Sequence, residues 1–467
     1  MTDSITIATF LDAMQPPSAV TADRRHAAMP GITGEGSLPS AFPLTAFAVA
    51  AIGTAALALA DYVDTRFGHS PAISIDRRLA SFWFGTSLRP QGWQIPALRD
   101  PVTGDYQARD GWVRLHTNAP HHLVAALSVL GTRADPGEVA RTIAHWHAAE
   151  LEDAIVRAGG CAATMHGRDD WLRHPQGQAV RGEPVIHAEE ASKGRTDQDT
   201  TSLARPLAGV KVLDLTRVLA GPVATRFLAG YGAQVLRIDP PFWTEPGMVP
   251  EVTLGKRCAQ LDLRKAADLA RLKELLALAD VVVHGYRGDA LDGLGLGTQA
   301  RHALRPGLVD VSLNAYGWTG PWRSRRGFDS LVQMSDGIAS AGMRYFGRDK
   351  PTPLPVQALD HATGYLVAAA VLRGLTRREQ GGYGSVSRLS LARTGELLVS
   401  QRGGALTQTR GEDHAMEPET AADHAVDIEQ TDWGPARRLK PPCELEGIPM
   451  RWDLPATALR SSAPHWA

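Results

Sequence analysis

The sequence predicts an α/β protein, a doubly wound parallel sheet joined to a smaller α+β domain. From about residue 207, short runs rich in β-branched residues alternate with helical patterns, the order of strand–helix–strand units in a parallel sheet. Residues 85–188 read differently, with a strand at "DGWVRLHT" (110–117) and helical material over 136–160. Between the two lies "EEASKGRTDQDTTSLARP" (189–206), a polar stretch with no apolar period, expected to be a linker.

Taken in order, residues 1–84 hold "LTAFAVAAIGTAALALA" (44–60), apolar enough to resemble a membrane span. Its alanine content, its short length and its run into Asp61 and Asp64 predict a buried helix instead. The opening "MTDSITIATFLDAM" has no basic region ahead of an apolar run and does not read as a signal peptide. In the 207–400 region, "VKVLDLT" (210–216) is a strand, and "VATRFLAGYG" sets Val223, Phe227, Leu228 and Tyr231 on one helical face before Gly232. "AQVLRID" (233–239), "ADVVVHGY" (279–286) and "GLVDVSLNAYG" (307–317) continue the strands, with "DLARLKELLALA" (268–279) as an intervening helix. Residues 401–467 are poor in apolar residues at their start and are expected to form an extended arm, mobile in part.

A weak repeat crosses this plan. Residues 44–80 and 361–392 each run as an Ala-rich helix, a glycine stop and a short strand, which makes 1–84 a degenerate partial copy of the larger domain. Aligned by eye, Phe42 and Pro43 stand where the second copy has Leu359 and Asp360.

Composition narrows the function. With 49 Lys+Arg against 50 Asp+Glu the net charge is -1, which argues against nucleic-acid binding and against a membrane-surface protein. Three scattered cysteines, Cys161, Cys258 and Cys443, give neither a disulfide framework nor a zinc spacing, so a reducing cytoplasm and no metal are expected. The histidines of "HTNAPHH" (116–122) and "HWH" (145–147) have no carboxylate or cysteine at a companion spacing and are assigned to surface or interface positions. The loop "TRVLAGP" (216–222) lacks the glycines of a dinucleotide fingerprint, and Asp239 reads as a turn former before Pro240 and Pro241. In "VQALDHATGYLVAAAV" (356–371), one acid, Asp360, stands at the mouth of an apolar helix. On its own it reads as a helix cap.

Five blocks in order point further: "GVKVLDLTRVLAGPVATRFLAGYGAQVLRID", "GKRCAQLDLR", "ADVVVHGYRGDALDGLGLG", "RPGLVDVSLNAYGWTGPWRSRRGFDSLVQMSDGI" and "LPVQALDHATGYLVAAAVLRGLTRREQGGYGSVSRLSL". Together they resemble the family III CoA-transferases, the group that includes formyl-CoA and carnitine CoA-transferases and whose fold α-methylacyl-CoA racemase shares. The resemblance implies that 207–400 is a Rossmann-like CoA-binding catalytic domain, and that 85–188 is the family's smaller domain, here preceding the larger one. It implies that CoA, as substrate, moves between an acyl-CoA and a carboxylic acid within an interlocked homodimer.

The resemblance also assigns residues. Asp360 matches the nucleophile, whose carboxylate attacks the thioester to give a mixed anhydride and then an aspartyl-CoA thioester. With a reference pKa of about 3.9 it is expected to be ionised, helped by the helix N-terminus, whose N–H groups would also serve an oxyanion. Arg217, Ala220, Arg237, Leu261, Arg264, Tyr286 and Arg326 match CoA contacts, while Gly285 and Gly293 replace side chains of the same pocket. The family's glycine-rich loop has only "RGG" (402–404) as a poor counterpart. Two rival functions stay open. A 2-methylacyl-CoA racemase or epimerase would need a histidine where Phe328 stands, and a non-catalytic CoA-binding subunit would need no acid at 360.

Overall fold

A computed structural model describes residues 2–15, 29–97, 100–194, 202–287, 289–401 and 415–466. Seven strands form its central sheet and are labelled in chain order: β1 (His187–Lys193), β2 (Lys211–Leu215), β3 (Gln234–Asp239), β4 (Lys256–Gln260), β5 (Val281–His284), β6 (Val309–Asn314) and β7 (Tyr383–Ser390). Their order across the sheet is β4-β3-β2-β5-β6-β7-β1, and β2 to β7 are all parallel. This is the doubly wound order, in which the chain builds outward from β2, returns, and builds the other way from β5. The strands are apolar along their length, as strands covered on both faces must be: every residue of β5 is buried.

The expected linker is partly wrong. Residues 187–193 pair antiparallel with β7 and close the sheet as β1. That strand reads "HAEEASK", with its glutamates exposed. An edge strand wetted on its face has no apolar alternation to betray it, and charge there blunts further pairing. Residues 195–201 lie outside the described residues.

Ahead of the sheet, strands Gly104–Gln107, Trp112–Leu115 and Ala162–Thr164 form an antiparallel sheet. Helix α2 (Pro120–Leu130) and the helices Pro136–Ile143 and Ala148–Arg157 pack on it around a separate core that includes Val113, Leu115, Ala126 and Leu151.

The two segments of the repeat run through the same elements. Helix α1 (Leu44–Phe67) and helix α4 (Ala358–Gly381) are both 24 residues long. Each starts from the same unusual backbone, φ/ψ -73/64 at Pro43 and -77/64 at Gln357, and each ends on a left-handed glycine, Gly68 or Gly382. A strand follows in each, then a helix capped by its first residue's predecessor, Asp76 or Ser390. The two helices lie against one another in the core. The equivalence differs from the alignment by eye: Ala46, third residue of α1, falls where Asp360 does in α4. Helix α1 is long and apolar enough to cross a membrane by composition, yet 89% of its most apolar window is buried inside the protein.

Residues 415–466 are built in rather than forming an arm; 402–414, with the "RGG" segment, lie outside the described residues. Cys443–Leu445 pairs with Ile73–Asp76, and Gly434–Leu439 pairs with Leu88–Pro90. The Trp83 and Trp452 rings stack at 5.8 Å, and the Trp83 indole donates to the Lys440 carbonyl at 2.7 Å. Deeper, Glu251 accepts from Arg226, from Arg438 at 3.3 Å and from the Ser87 hydroxyl at 2.8 Å, joining three distant segments in one buried ionic knot. Such a segment looks mobile in sequence because its partners lie hundreds of residues away.

The first copy braces the second. Phe84, fully buried, stacks on His361 at 5.3 Å and lies 6.2 Å from the Tyr365 ring, both on α4. Phe84→Ala should therefore cost about 3–5 kcal/mol of stability. A denaturation midpoint equal to that of the wild-type chain would show that α4 stands without this brace.

Candidate active site

At the carboxyl ends of β2, β5 and β6, where the chain reverses its winding, residues 215–221, 285–287 and 313–315 line a cleft of about 390 Å³. Asp360 stands in its wall, 6% exposed. Two glycines make this geometry possible. A Cβ on Gly221 would fall 2.3 Å from the Thr216 side chain, so only glycine lets the loop turn into helix α3 (Ala220–Gly230). On α4, a Cβ on Gly364 would fall 2.5 Å from the Ala220 carbonyl, so α4 can close on α3 and carry Asp360 to the cleft.

Asp360 is the third residue of α4, whose N-cap, Gln357, makes no side-chain cap. The cap comes from elsewhere. Asp329 Oδ2 accepts the backbone N–H of Leu359 at 2.9 Å and of Asp360 at 3.1 Å, while its other oxygen accepts from Gln333. Two expectations are corrected by this arrangement. These first-turn N–H groups are already taken and do not serve an oxyanion. Burial, and then the Asp329 carboxylate, push the Asp360 carboxyl well above the usual range, so the resting acid holds its proton more tightly than a surface aspartate. Burial raises Asp329 as well. His361, behind the acid, is fully buried and held neutral by that burial.

The other sequence-assigned residues divide. Arg217, Ala220, Tyr286 and Arg326 line the cleft with Asp360. The Arg217 guanidinium lies 5.0 Å from the Trp243 ring and 5.3 Å from the Tyr286 ring, and donates to the Tyr286 hydroxyl at 3.1 Å. Arg237, Leu261 and Arg264 are not in the lining. Arg237 is wholly buried and bonded to Asp239 at 2.8 Å and to Glu245. Leu261 lies in the apolar layer against which Tyr286 packs. Arg264 is exposed, paired with Asp262 at 2.8 Å, with Phe242 5.0 Å away. Gly285 lines the cleft and Gly293 does not.

Arg237 reaches the cleft through another residue. Glu245, its partner, accepts the Val218 N–H at 2.8 Å, and Val218 holds φ 66, a left-handed conformation that costs a β-branched residue energy. The buried Arg237–Glu245 pair thus pins the strained loop that carries Arg217 and Ala220. Asp239, read as a turn former, is a buried member of the same ionic group.

Sequence reasoning missed the small domain's share. His121 and His122, assigned to surface or interface positions, line the cleft, and the His116 ring stacks on Phe328 at 3.7 Å. Phe242 and Trp243 add aromatic walls.

A cleft lined by arginines at the switch point of a doubly wound sheet, with a buried acid at a helix mouth, gives this α/β protein a place where an anionic ligand can lie beside a carboxyl group. Residues 207–431 match the model of CoA-transferase family III. Among similar proteins, the succinyl-CoA:glutarate CoA-transferase of Mus musculus is 33% identical over 206 residues, 41% of this chain and 46% of that protein. A probable fatty acyl-CoA transferase of Mycobacterium tuberculosis is 32% identical over 206 residues, 41% of this chain and 52% of its own length. Its crystal structure, matched at 29% identity over 49% of this chain and 61% of that one, gives a TM-score of 0.41. The chain spans about a third to a half of the length of the curated relatives it matches first, between 32% and 53%.

Proposed function

We propose that this chain is a CoA-transferase that moves CoA from an acyl-CoA donor to a carboxylic acid acceptor through Asp360. The observation that carries the reading is the position of Asp360: among the described residues the one carboxyl in the cleft lining, on a helix braced from behind and sharing the cleft with the arginine-bearing loop of β2. In this reading the Asp360 carboxylate attacks the thioester carbonyl and expels CoA thiolate, leaving a mixed anhydride. The thiolate attacks the aspartyl carbonyl and releases the donor acid, giving the aspartyl thioester. The acceptor carboxylate then attacks that carbonyl and expels thiolate again, and the thiolate takes the acceptor's acyl group, restoring Asp360. Arg217, between two aromatic rings, is the phosphate ligand for CoA; Tyr286 orients it.

Incubation with a panel of acyl-CoAs and no acceptor, followed by intact mass measurement, tests the reading. An acyl or CoA adduct on Asp360 is expected, and no adduct from any donor would overturn it. Arg217→Ala should weaken CoA about 10- to 100-fold by calorimetry. An unchanged affinity would remove Arg217 from the ligand's path.

One observation favours a second reading. The racemase-type histidine is absent at Phe328, yet the His122 ring lies edge-on to Phe328 at 5.9 Å, supplied by the small domain. Solvent exchange of the α-proton of a 2-methylacyl-CoA, without CoA transfer, would decide for it. In our reading the chain works in a reducing cytoplasm, where its three buried thiols stay free, and as a homodimer, which light scattering checks.

A further inference from the structure

Two aromatic rings of the cleft lining come from the loop after β3. Phe242 is exposed, and Trp243, half-buried, holds its ring 5.0 Å from the Arg217 guanidinium. The Trp243 indole N–H is buried and, among the described residues, meets no acceptor, so no hydrogen bond of its own fixes the ring. The hold comes from far along the chain. Arg460 Nη1 donates to the Pro241 carbonyl at 2.8 Å and to the Trp243 carbonyl at 3.4 Å, one on each side of Phe242. Arg460 itself sits at φ 68, a left-handed backbone that a side chain of this size rarely adopts. Strain of this kind persists only where the surroundings fix it. Here they do so on both sides. The Thr457 N–H donates to the Thr253 hydroxyl at 3.2 Å and the Ser462 N–H to the Cys258 carbonyl on β4 at 2.8 Å. Further on, the Pro464 carbonyl accepts from Arg271 at 2.8 Å, and the Trp466 indole donates to the Leu275 carbonyl at 3.1 Å. Residues 457–466 are thus tied to β4 at the sheet edge and to the helix Ala266–Ala277, and Arg460 reaches from that fixed strip to the cleft loop.

We propose that Arg460 is a positioning residue for ligand binding: its guanidinium sets the two carbonyls that flank Phe242 and so holds the Trp243 ring against Arg217. The inference rests on the reading of the cleft as a CoA site, and it adds a residue that stands outside the cleft lining. A guanidinium lying on an indole face is kept in one orientation, ready for a bound anion. Without Arg460 the loop samples positions in which that face is lost, and the ordering it then needs on binding is taken from ligand affinity. Asp360 stands on α4, which this loop does not carry, so the chemical step is spared.

Arg460 is exposed, and asparagine and glycine both tolerate its backbone, so Arg460→Asn and Arg460→Gly remove the guanidinium and leave the turn. Free CoA is titrated into the intact chain by calorimetry, and hydrogen exchange is read by mass spectrometry on the ligand-free protein. In either variant CoA affinity should fall about 3- to 10-fold, and KM for an acyl-CoA should rise in step while kcat stays within about twofold. Exchange over 242–248 should quicken in both variants, with 256–260 and 281–284 unchanged. A double-mutant cycle then separates positioning from a general loss of packing: on a Trp243→Ala background, Arg460→Asn should cost no further affinity. The proposal is overturned if exchange over 242–248 matches wild type, if the loop loosens while CoA affinity holds, if kcat falls in place of affinity, or if the two losses add. Faster exchange over 256–260 as well would make Arg460 a structural part of its own strip, and overturns the proposal too. A wild-type chain that binds no CoA removes the transferase reading; in that event loosened exchange over 242–248 upholds the hold on Trp243, and unchanged exchange sinks it.

Discussion

Asp360→Asn should abolish CoA transfer, by roughly 10^3-fold or more, in a protein that still folds and binds CoA. Asparagine keeps the volume of the side chain and loses the anionic oxygen that attacks in the proposed mechanism. Because Asp329 and not Asp360 caps α4, the first turn of the helix is unaffected by the change. A stability difference is expected as well. The folded-state pKa of Asp360 lies above that of an unfolded aspartate, near 3.9, so the wild-type acid loses stabilising free energy as pH rises from there through the raised value. The Asn variant is free of that loss and should melt higher than wild type on the alkaline side. Transfer at the wild-type rate, with deamidation to Asp excluded by mass measurement, would refute the nucleophile assignment.

Asp329 gives the second large effect, and its two variants separate charge from capping. Asp329→Asn retains an oxygen for the Leu359 and Asp360 amides but removes the like charge beside Asp360. Ionisation of Asp360 then becomes easier, and the acid limb of the pH–rate profile should move to lower pH while kcat on the plateau changes little. Asp329→Ala instead strands two buried N–H groups, at about 1–3 kcal/mol each, and should lower the melting temperature and kcat together. An acid limb that stays in place in the Asn variant would mean that Asp360 is not the group whose ionisation limits the reaction.

How far the sequence could be read depends on where each residue's partners lie. The parallel strands were legible because strands covered on both faces have to be apolar, as "VVVH" and "VDVSLN" are. Strand β1 was not, since its wet face leaves only polar letters. Asp360, Arg217 and Tyr286, which line one cleft, were singled out through local motifs that sit at strand and helix ends. Arg237 and Arg264 come from the same motifs, but the carboxylates that occupy them, Asp239, Glu245 and Asp262, reveal themselves only once the side chains are placed. His121 and His122 stand some two hundred residues before Phe328 and Asp329 in the chain, and no local spacing could have joined them. The raised acid is a property of burial, which a pattern of letters at a helix mouth does not contain.

Helices α1 and α4, built to one plan and packed together, have parted company in what they carry: Ala46, 2% exposed, on the one and Asp360 on the other. In a ring of identical subunits every change is made everywhere at once, so a helix that needs a buried acid for chemistry imposes that acid on its twin. Within a single chain the two positions mutate independently. One helix can then be selected for tight apolar contact and the other for reactivity, and the energetic burden of a buried carboxyl falls on only one of them.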